Sequence, residues 1–504
     1  MLAVRRHIGG VRAFTQVLLF AYPVGHQERR RHARGALMLA SALNSPWKAV
    51  LAFAFLVGWG TPGRADELDA YLQRQRDVYK IPALVVGVIR SGQLTIGRAI
   101  GLSNVELGVP ASTESVFEIG SISKQFTAYA ILMLSEQAKL ELNAPVGRYL
   151  PDLPPSWARP TLHQLLGHTS GLPDFEEAFG YGVYRETPSD AEFQKRLLGL
   201  QINSEPGEKW SYSNTNYWLL ARVIEQVSGQ TYAQFMQERI FAPLGMTSTR
   251  TALPSQILLG RVVGYRIVEN RLENREAMQP STARGLGDIA TTIRDMARWE
   301  EEQRAPRLIK AETARLAFES VKLNDGSATD YGYGWFIRPV LGLPARHHDG
   351  QTAGFVAEYL RFPGLDLAIV VFANRYGAPV SASGIARLAE PNIGGPPLLA
   401  AEGADAAKAQ RVRELAAGAT RARSEWREDW FDAAFWRDIS PYLHDLEENY
   451  LCRGQLRSVV PVGPNGVQDA SKPSYRVVFE KMTRLMTLEF DDHGKIKSID
   501  AEDE

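Results

Sequence analysis

The sequence predicts an α+β protein: an antiparallel sheet with helices packed on it, followed by a smaller α+β domain. Three observations carry this. Hairpin-forming apolar runs stand near residues 83–97 and again near 359–374, with a helix-rich stretch between them. That order suits a sheet assembled from both ends of one domain. A Pro/Gly/Ala-rich stretch, Pro391 to Ala407, reads as a linker, and helical patterns followed by four strand-like runs come after it. The expected divisions are a leader with a signal peptide (1–65), a main domain (66–390), the linker (391–407) and an accessory domain (408–504).

Composition agrees. At 504 residues, with 45% hydrophobic and 23% charged residues, the chain can bury a large core. The formal net charge is zero, so the overall balance points neither to nucleic acid nor to an anionic membrane surface. The one cysteine, Cys452, excludes an intrachain disulfide and a cysteine-built metal cluster, and reads as a small buried apolar residue.

Residues 38–65 carry a short charged region, the apolar run Ala49 to Trp59, and small residues before Ala65. This reads as a signal peptide cut after Ala65, with an apolar core too short to span a bilayer comfortably. No cysteine follows it to take a lipid. The arginine-rich stretch 1–37 precedes that signal, which makes Met38 the expected start; a basic tail is the competing reading. A secreted or periplasmic location follows, with no stable membrane span after cleavage.

In order, a helix is expected from Glu67 to about Tyr79, and a hairpin from Ala83–Ile89 and Leu94–Gly97. A helix begins near Ser121, because Phe126, Tyr129, Ala130, Met133 and Leu134 repeat at three- and four-residue spacing. Thr161 to His168 looks like a short helix ending in the turn Thr169–Pro173; His168 is expected to brace that loop, with a ligand or base as the alternative. A polar, aromatic loop from Pro206 runs into a helix over Trp218–Val227. Thr291–Glu301 is another helix, and Tyr331–Phe336 reads as a glycine-punctuated strand. Strands follow around Arg346–Phe355, at Tyr359–Phe362 and at Leu367–Asn374. Residues 408–451 are helical and tryptophan-rich, and four strands close the chain over 456–499. That last order faintly resembles the nuclear-transport-factor-2-like fold. No catalytic cluster stands out there, so a structural or dimerising role is expected.

Chemistry concentrates at three short motifs: Ser121-x-x-Lys124, Tyr212-Ser213-Asn214 and His348-Asp349-Gly350. Residues three apart at a helix start share a face, so Ser121 and Lys124 are expected side by side. The helix N-terminus favours a serine alkoxide and disfavours a second positive charge, which helps keep the lysine neutral and able to accept a proton. S-x-x-K alone occurs by chance in most long chains.

The three motifs in this order resemble the serine β-lactamase and penicillin-binding-protein superfamily. The resemblance is to the branch holding class C β-lactamases, D-aminopeptidases, D-alanyl-D-alanine carboxypeptidases and family VIII esterases. The flanks match as well: Phe117–Ser121, His168-Thr169-Ser170-Gly171-Leu172, Pro206-Gly207, and Gly350 with Gly354-Phe355. The resemblance covers roughly residues 68–390.

It implies an antiparallel β-lactamase/transpeptidase-like sheet with a helical subdomain, and a serine hydrolase acting through an acyl-enzyme on an ester or amide, including D-amino-acid peptides. Ser121 would be the nucleophile, with Lys124 and Tyr212 sharing the proton work; which of them is the base stays open. Asn214 would orient Lys124 or the substrate, or else serve as a turn or cap residue. The backbone N–H groups of Ser121 and Gln351 would form the oxyanion hole, and Gly350 would let the substrate lie close to its strand. A lysine usually opens the third motif in β-lactamases. His348, mostly neutral at its unperturbed pKa of about 6.5, grips a carboxylate less well. His347 would point to the opposite face. A β-lactamase, and a non-catalytic binding or sensor protein, are the alternatives. The resemblance implies no metal or organic cofactor, and a small-molecule or peptide substrate as partner. The oligomeric state, including a homo-oligomer, is left open.

Overall fold

A computed structural model describes residues 64–503 apart from 252–254, 276–277, 394–397, 420–425, 441–442, 444–448 and 450. The expected leader and signal peptide, up to Gly63, lie outside the described residues. Residues from Arg64 onward form one compact unit.

Helix α1 (Arg64–Val78) leads into the expected hairpin, β1 (Ala83–Arg90) and β2 (Gln93–Asn104), and a short β3 (Val109–Pro110). Strand β4 (Phe117–Glu118) is followed by one 3₁₀ turn, Gly120–Ile122, and by α2 (Ser123–Glu136). The α2 residues from Ser123 to Leu134 are all buried, the polar Ser123, Lys124, Gln125 and Thr127 of its first turns included. Helix α3 (Leu162–Leu166) opens with a capping box between Thr161 and Gln164, and α4 (Phe175–Phe179) is capped by the Asp174 carboxylate. Then come α5 (Asn214–Ser228), β5 (Arg250–Thr251), β6 (Tyr265–Val268), β7 (Arg271–Asn274), β8 (Ile289–Thr291) and α6 (Ile293–Arg304), which Thr292 caps. Strands β9 (Arg346–Thr352), β10 (Phe355–Phe362) and β11 (Leu367–Ala373) precede α7 (Ala382–Ala389).

The main sheet has six strands in the order β3-β2-β1-β11-β10-β9, antiparallel throughout. Its central strands come from the two ends of the main domain, Leu84 pairing with Ala373 and Arg90 with Leu367. Both faces of β1 and β11 are covered, which is why their sequences run apolar without alternation. On one face Val85, Ile89, Val370 and Phe372 join a core with Phe126, Trp218 and Trp299. On the other, Val86, Val88, Ile369 and Val371 join a second core with Leu68, Leu72 and Ile385. Each such side chain contributes roughly 1.5–3 kcal/mol by its burial.

That second core extends into the C-terminal region. Strand β12 (Leu398–Ala400), α8 (Ala406–Gly418), α9 (Ala433–Ile439), β13 (Leu456–Pro464), β14 (Ser474–Phe479), β15 (Thr483–Phe490) and β16 (Ile496–Asp503) build a five-stranded antiparallel meander with helices beside it. Val412, Leu415, Phe431, Tyr475, Val477 and Met486 belong to the same apolar layer as the back of the main sheet. Polar bonds cross the junction too. Tyr79 donates to Asp503 (2.8 Å) and receives from Arg453 (3.0 Å), and Arg387 pairs with Glu502 (2.6 Å).

Three local expectations change. The stretch Tyr331–Phe336 is a turn with isolated bridges rather than a strand: Gly334 has φ +77°, and its α-carbon lies against the Lys124–Gln125 backbone, where a side chain would collide. The helix expected from Trp218 begins at Asn214, since Ser213 already has the extended backbone of an N-cap. The expected linker contains β12, which pairs with β13 and so belongs to the C-terminal sheet. Among the described residues, no helix is long and apolar enough to cross a membrane.

Candidate active site

Ser121 sits in the 3₁₀ turn before α2, partly exposed, while Lys124 is fully buried one turn on. The turn is held from outside by β9. A side chain on Gly350 would place its Cβ 1.9 Å from the Ile119 carbonyl oxygen and 3.0 Å from the Ser121 nitrogen. Gly120, at φ +50°, in turn faces the Gln351 nitrogen, 2.5 Å from where its own Cβ would stand. Gly350 thus lets the strand press on the serine turn itself. The Ser121 and Gln351 amides are thereby brought onto neighbouring backbone segments.

Lys124 Nζ lies 2.9 Å from Ser121 Oγ, 2.9 Å from Asn214 Oδ1 and 3.2 Å from the Leu286 carbonyl. It also stands 4.8 Å above the Tyr212 ring. Burial lowers its pKa to about 7, against the pull of Asp174, Glu176 and Asp349.

Tyr212 comes from the loop before α5. Its hydroxyl is buried and makes no hydrogen bond of good geometry among the described residues. Burial pushes its pKa well above the usual tyrosine value, with the Ser121 hydroxyl beside it pulling the other way. Asn214, in the first turn of α5, orients Lys124: its Oδ1 accepts from Nζ, while its Nδ2 donates toward Asp174 (3.4 Å) and Glu176 (3.3 Å). Of its two expected roles, the structure places it at the lysine. His168 braces the loop as expected. Its Nδ1 accepts from the Ser213 amide (3.1 Å), and its carbonyl accepts from the Ser211 amide.

His348 is 2% exposed on β9. Its Nδ1 donates to the Asp349 carbonyl (2.5 Å), and its Nε2 accepts from the Tyr331 hydroxyl (3.0 Å). Both ring nitrogens are engaged, and burial lowers the pKa to about 4. The unperturbed value expected from the sequence does not hold here, because the ring is enclosed by Tyr212, Tyr331 and Phe336. His347 stacks on Phe336 and receives a bond from Arg338, and it touches neither Ser121 nor Lys124.

Three residues at the site escape a reading of motifs. Asp174 and Glu176 follow the His168–Pro173 loop and reach Asn214; the run Pro173-Asp174-Phe175-Glu176 next to that loop is the available signal. Tyr331 reaches His348 from the turn that stands in place of the expected strand. Among the described residues, no cluster of histidine, cysteine and carboxylate side chains could hold a metal ion.

Known proteins share this arrangement of chain. Penicillin-binding protein 4* of Bacillus subtilis is 29% identical over 304 residues, 56% of this chain and 66% of that protein. A D-aminopeptidase of Gluconobacter oxydans is 27% identical over 311 residues, 60% of this chain and 57% of its own. The chain thus spans less than two thirds of either relative. Among solved structures, the octameric penicillin-binding protein homologue from Pyrococcus abyssi matches with a TM-score of 0.58 at 20% identity, covering 87% of this chain and 98% of that one, a likeness of fold. The family model described as Beta-lactamase matches residues 68–391, a span that takes in Ser121, Lys124, Tyr212, Asn214 and the whole of β9, and the chain belongs to that family.

Proposed function

We propose that the protein is a serine hydrolase that cleaves an ester or amide through an acyl-Ser121 intermediate, with Lys124 as the base. The observation that carries this is the 2.9 Å approach of Nζ to Oγ, by a lysine whose pKa lies near 7. A neutral amine can donate its two hydrogens to Asn214 Oδ1 and the Leu286 carbonyl, and its lone pair then faces the serine hydroxyl. The proton leaves Oγ for Nζ as Oγ attacks the substrate carbonyl. The new oxyanion would lie against the Ser121 and Gln351 amides. Tyr212, whose raised pKa keeps its hydroxyl protonated and so unable to act as the base, relays a proton from the Lys124 ammonium to the leaving group, giving up its own as it takes one. Water then releases the acyl group by the same steps reversed.

The neutral, fully engaged His348 favours substrates without a carboxylate at that end of the cleft, hence esters and amides over β-lactams. Kinship with a D-aminopeptidase supports amides of D-amino acids and their peptides as the substrate class. The apolar run 49–59 supports export from the cytoplasm, and the meander from β12 onward acts as a structural module.

The test is a fluorophosphonate probe with mass mapping of the labelled residue, followed by turnover of p-nitrophenyl esters, D-amino-acid amides and a cephalosporin. Labelling at Ser121, with ester and amide turnover ahead of the cephalosporin, is the expected result. Absence of label at Ser121 in folded protein overturns the assignment.

A further inference from the structure

Behind Lys124 stand two carboxylates that the hydrolytic steps do not use. Asp174 Oδ1 accepts the amides of Asn214 (3.0 Å) and Glu176 (3.3 Å). Asp174 Oδ2 and Glu176 Oε2 flank one nitrogen, Asn214 Nδ2, at 3.4 and 3.3 Å. Glu176 Oε2 also accepts from the Tyr184 hydroxyl at 2.7 Å. This fixes the sense of the Asn214 amide. Turned over, it would set its oxygen against two carboxylates and its hydrogens against the Lys124 ammonium.

The charges around the pair are few. From α2 comes Lys124; from the 181–185 turn come the phenols of Tyr184 and Tyr181; from α5 comes Asn214. Asp349 on β9 and the neutral His168 and His348 act on Lys124 from the other side. Among the described residues, neither Asp174 nor Glu176 forms an ion pair with arginine. Two bare carboxylates here, beside a lysine that is neutral for part of the cycle, would leave two enclosed charges uncompensated, a costly state.

We propose that Asp174 and Glu176 act as one positioning unit, sharing a single proton and a single negative charge across the Asn214 amide, and that this charge sets the protonation of Lys124. The proposal rests on Lys124 being the base. One negative charge balances the ammonium formed when Ser121 gives up its proton, and leaves the neutral amine one charge short of balance rather than two. Burial raises Asp174 to about 7 and raises Glu176 as well, as expected when two such groups compete to ionise.

The experiment measures the rate of Ser121 labelling by a fluorophosphonate against pH in wild type, Asp174→Asn, Glu176→Gln and the double variant, with melting temperatures as a control on folding. Either single variant removes the shared proton and keeps one charge, so the acid limb of the profile stays within a few tenths of a pH unit. The double variant removes the charge, and the limb moves about one unit lower. A merely structural role would change rates or melting temperature without that pattern. Limb shifts in both single variants, or none in the double, overturn the proposal. If the variants do not fold, infrared difference spectra of the wild type decide: a protonated carboxyl band must be present at about pH 7, where Lys124 begins to act as a base, and titrate away only at higher pH; its absence at about pH 7 overturns the shared proton. No labelling of wild-type Ser121 would instead defeat the catalytic assignment beneath it.

Discussion

Lys124 Nζ stands 2.9 Å from the Oγ of the partly exposed Ser121 while itself fully buried, and that burial lowers its pKa to about 7. A lysine in water would be almost wholly protonated at that pH. Here the base form is present near neutrality. Because the ammonium is the inactive form, kcat/KM for a neutral ester should be low in acid and rise toward a plateau as pH passes about 7. A profile still climbing at pH 9 would mean that Lys124 keeps an ordinary amine pKa.

Removal of the reacting groups should separate their roles. Ser121→Ala should abolish turnover and leave melting unchanged, since it deletes one partly exposed hydroxyl. Lys124→Ala and Tyr212→Phe should each lower kcat/KM by about a hundredfold or more, and the double variant by less than the product, because both act on one proton path. Multiplicative losses in the double variant would show two independent roles.

The Gly350 contact predicts a loss of a different kind. An alanine there must push β9 or the serine turn aside, since its Cβ would stand 1.9 Å from the Ile119 carbonyl oxygen. Both the nucleophile and the Gln351 amide move with those segments. Gly350→Ala should therefore cost about a hundredfold or more in acylation rate. Acylation at the wild-type rate would show that the two segments can separate freely.

How much of this was legible in the sequence depends on how local each signal was. Ser121 and Lys124 are one helical turn apart, so their meeting could be read from spacing, as could the hairpins of the main sheet from their apolar runs. Asp174 meets Asn214 across 40 residues, and its place next to the His168–Pro173 loop is a weaker signal than a one-turn spacing. The motif at His348 and its neutrality near pH 7 are visible in the sequence, but how far burial lowers its pKa is not, because Tyr331, which helps enclose the ring, comes from a stretch whose glycine fixes a turn rather than a strand. The composition of residues 391–407 suggests a linker, yet Leu398–Ala400 find a partner strand in β13. A fully apolar strand such as β11 tells that both faces are covered, but not that the C-terminal meander shares the layer behind it.

His348 gives a prediction opposite to the one its unperturbed pKa would give. With the pKa near 4, the ring stays neutral from about pH 5.5 upward. The preference for a neutral ester over a matched carboxylate-bearing ester should then be constant from about pH 5.5 to 8.5. Selectivity ratios from kcat/KM across that range provide the check. A ratio that swings toward the carboxylate substrate as pH falls toward 6 would show a histidine that takes up a proton there.

The C-terminal meander should prove necessary for folding. Without residues from Leu398 on, Val86, Val88, Ile369 and Val371 would lose part of the layer that covers them, and a broad apolar face would meet water. A chain ended at residue 397 should aggregate or bind a hydrophobic dye, and a loss of activity there would reflect misfolding of the back layer. A point change separates these effects. Asp503 is buried and bonded to Tyr79 and Arg484. Asp503→Ala removes the buried carboxylate from Tyr79 and Arg484, which keep Met482 Sδ and the Ala501 carbonyl as other acceptors, and should cost about 3 kcal/mol. The folded fraction should still label at Ser121 at the wild-type rate, because neither Tyr79 nor Arg484 lies on α2 or β9. A truncated protein that keeps the oligomeric state of the full chain, melts as it does and labels normally would show that the meander is dispensable to the sheet it covers.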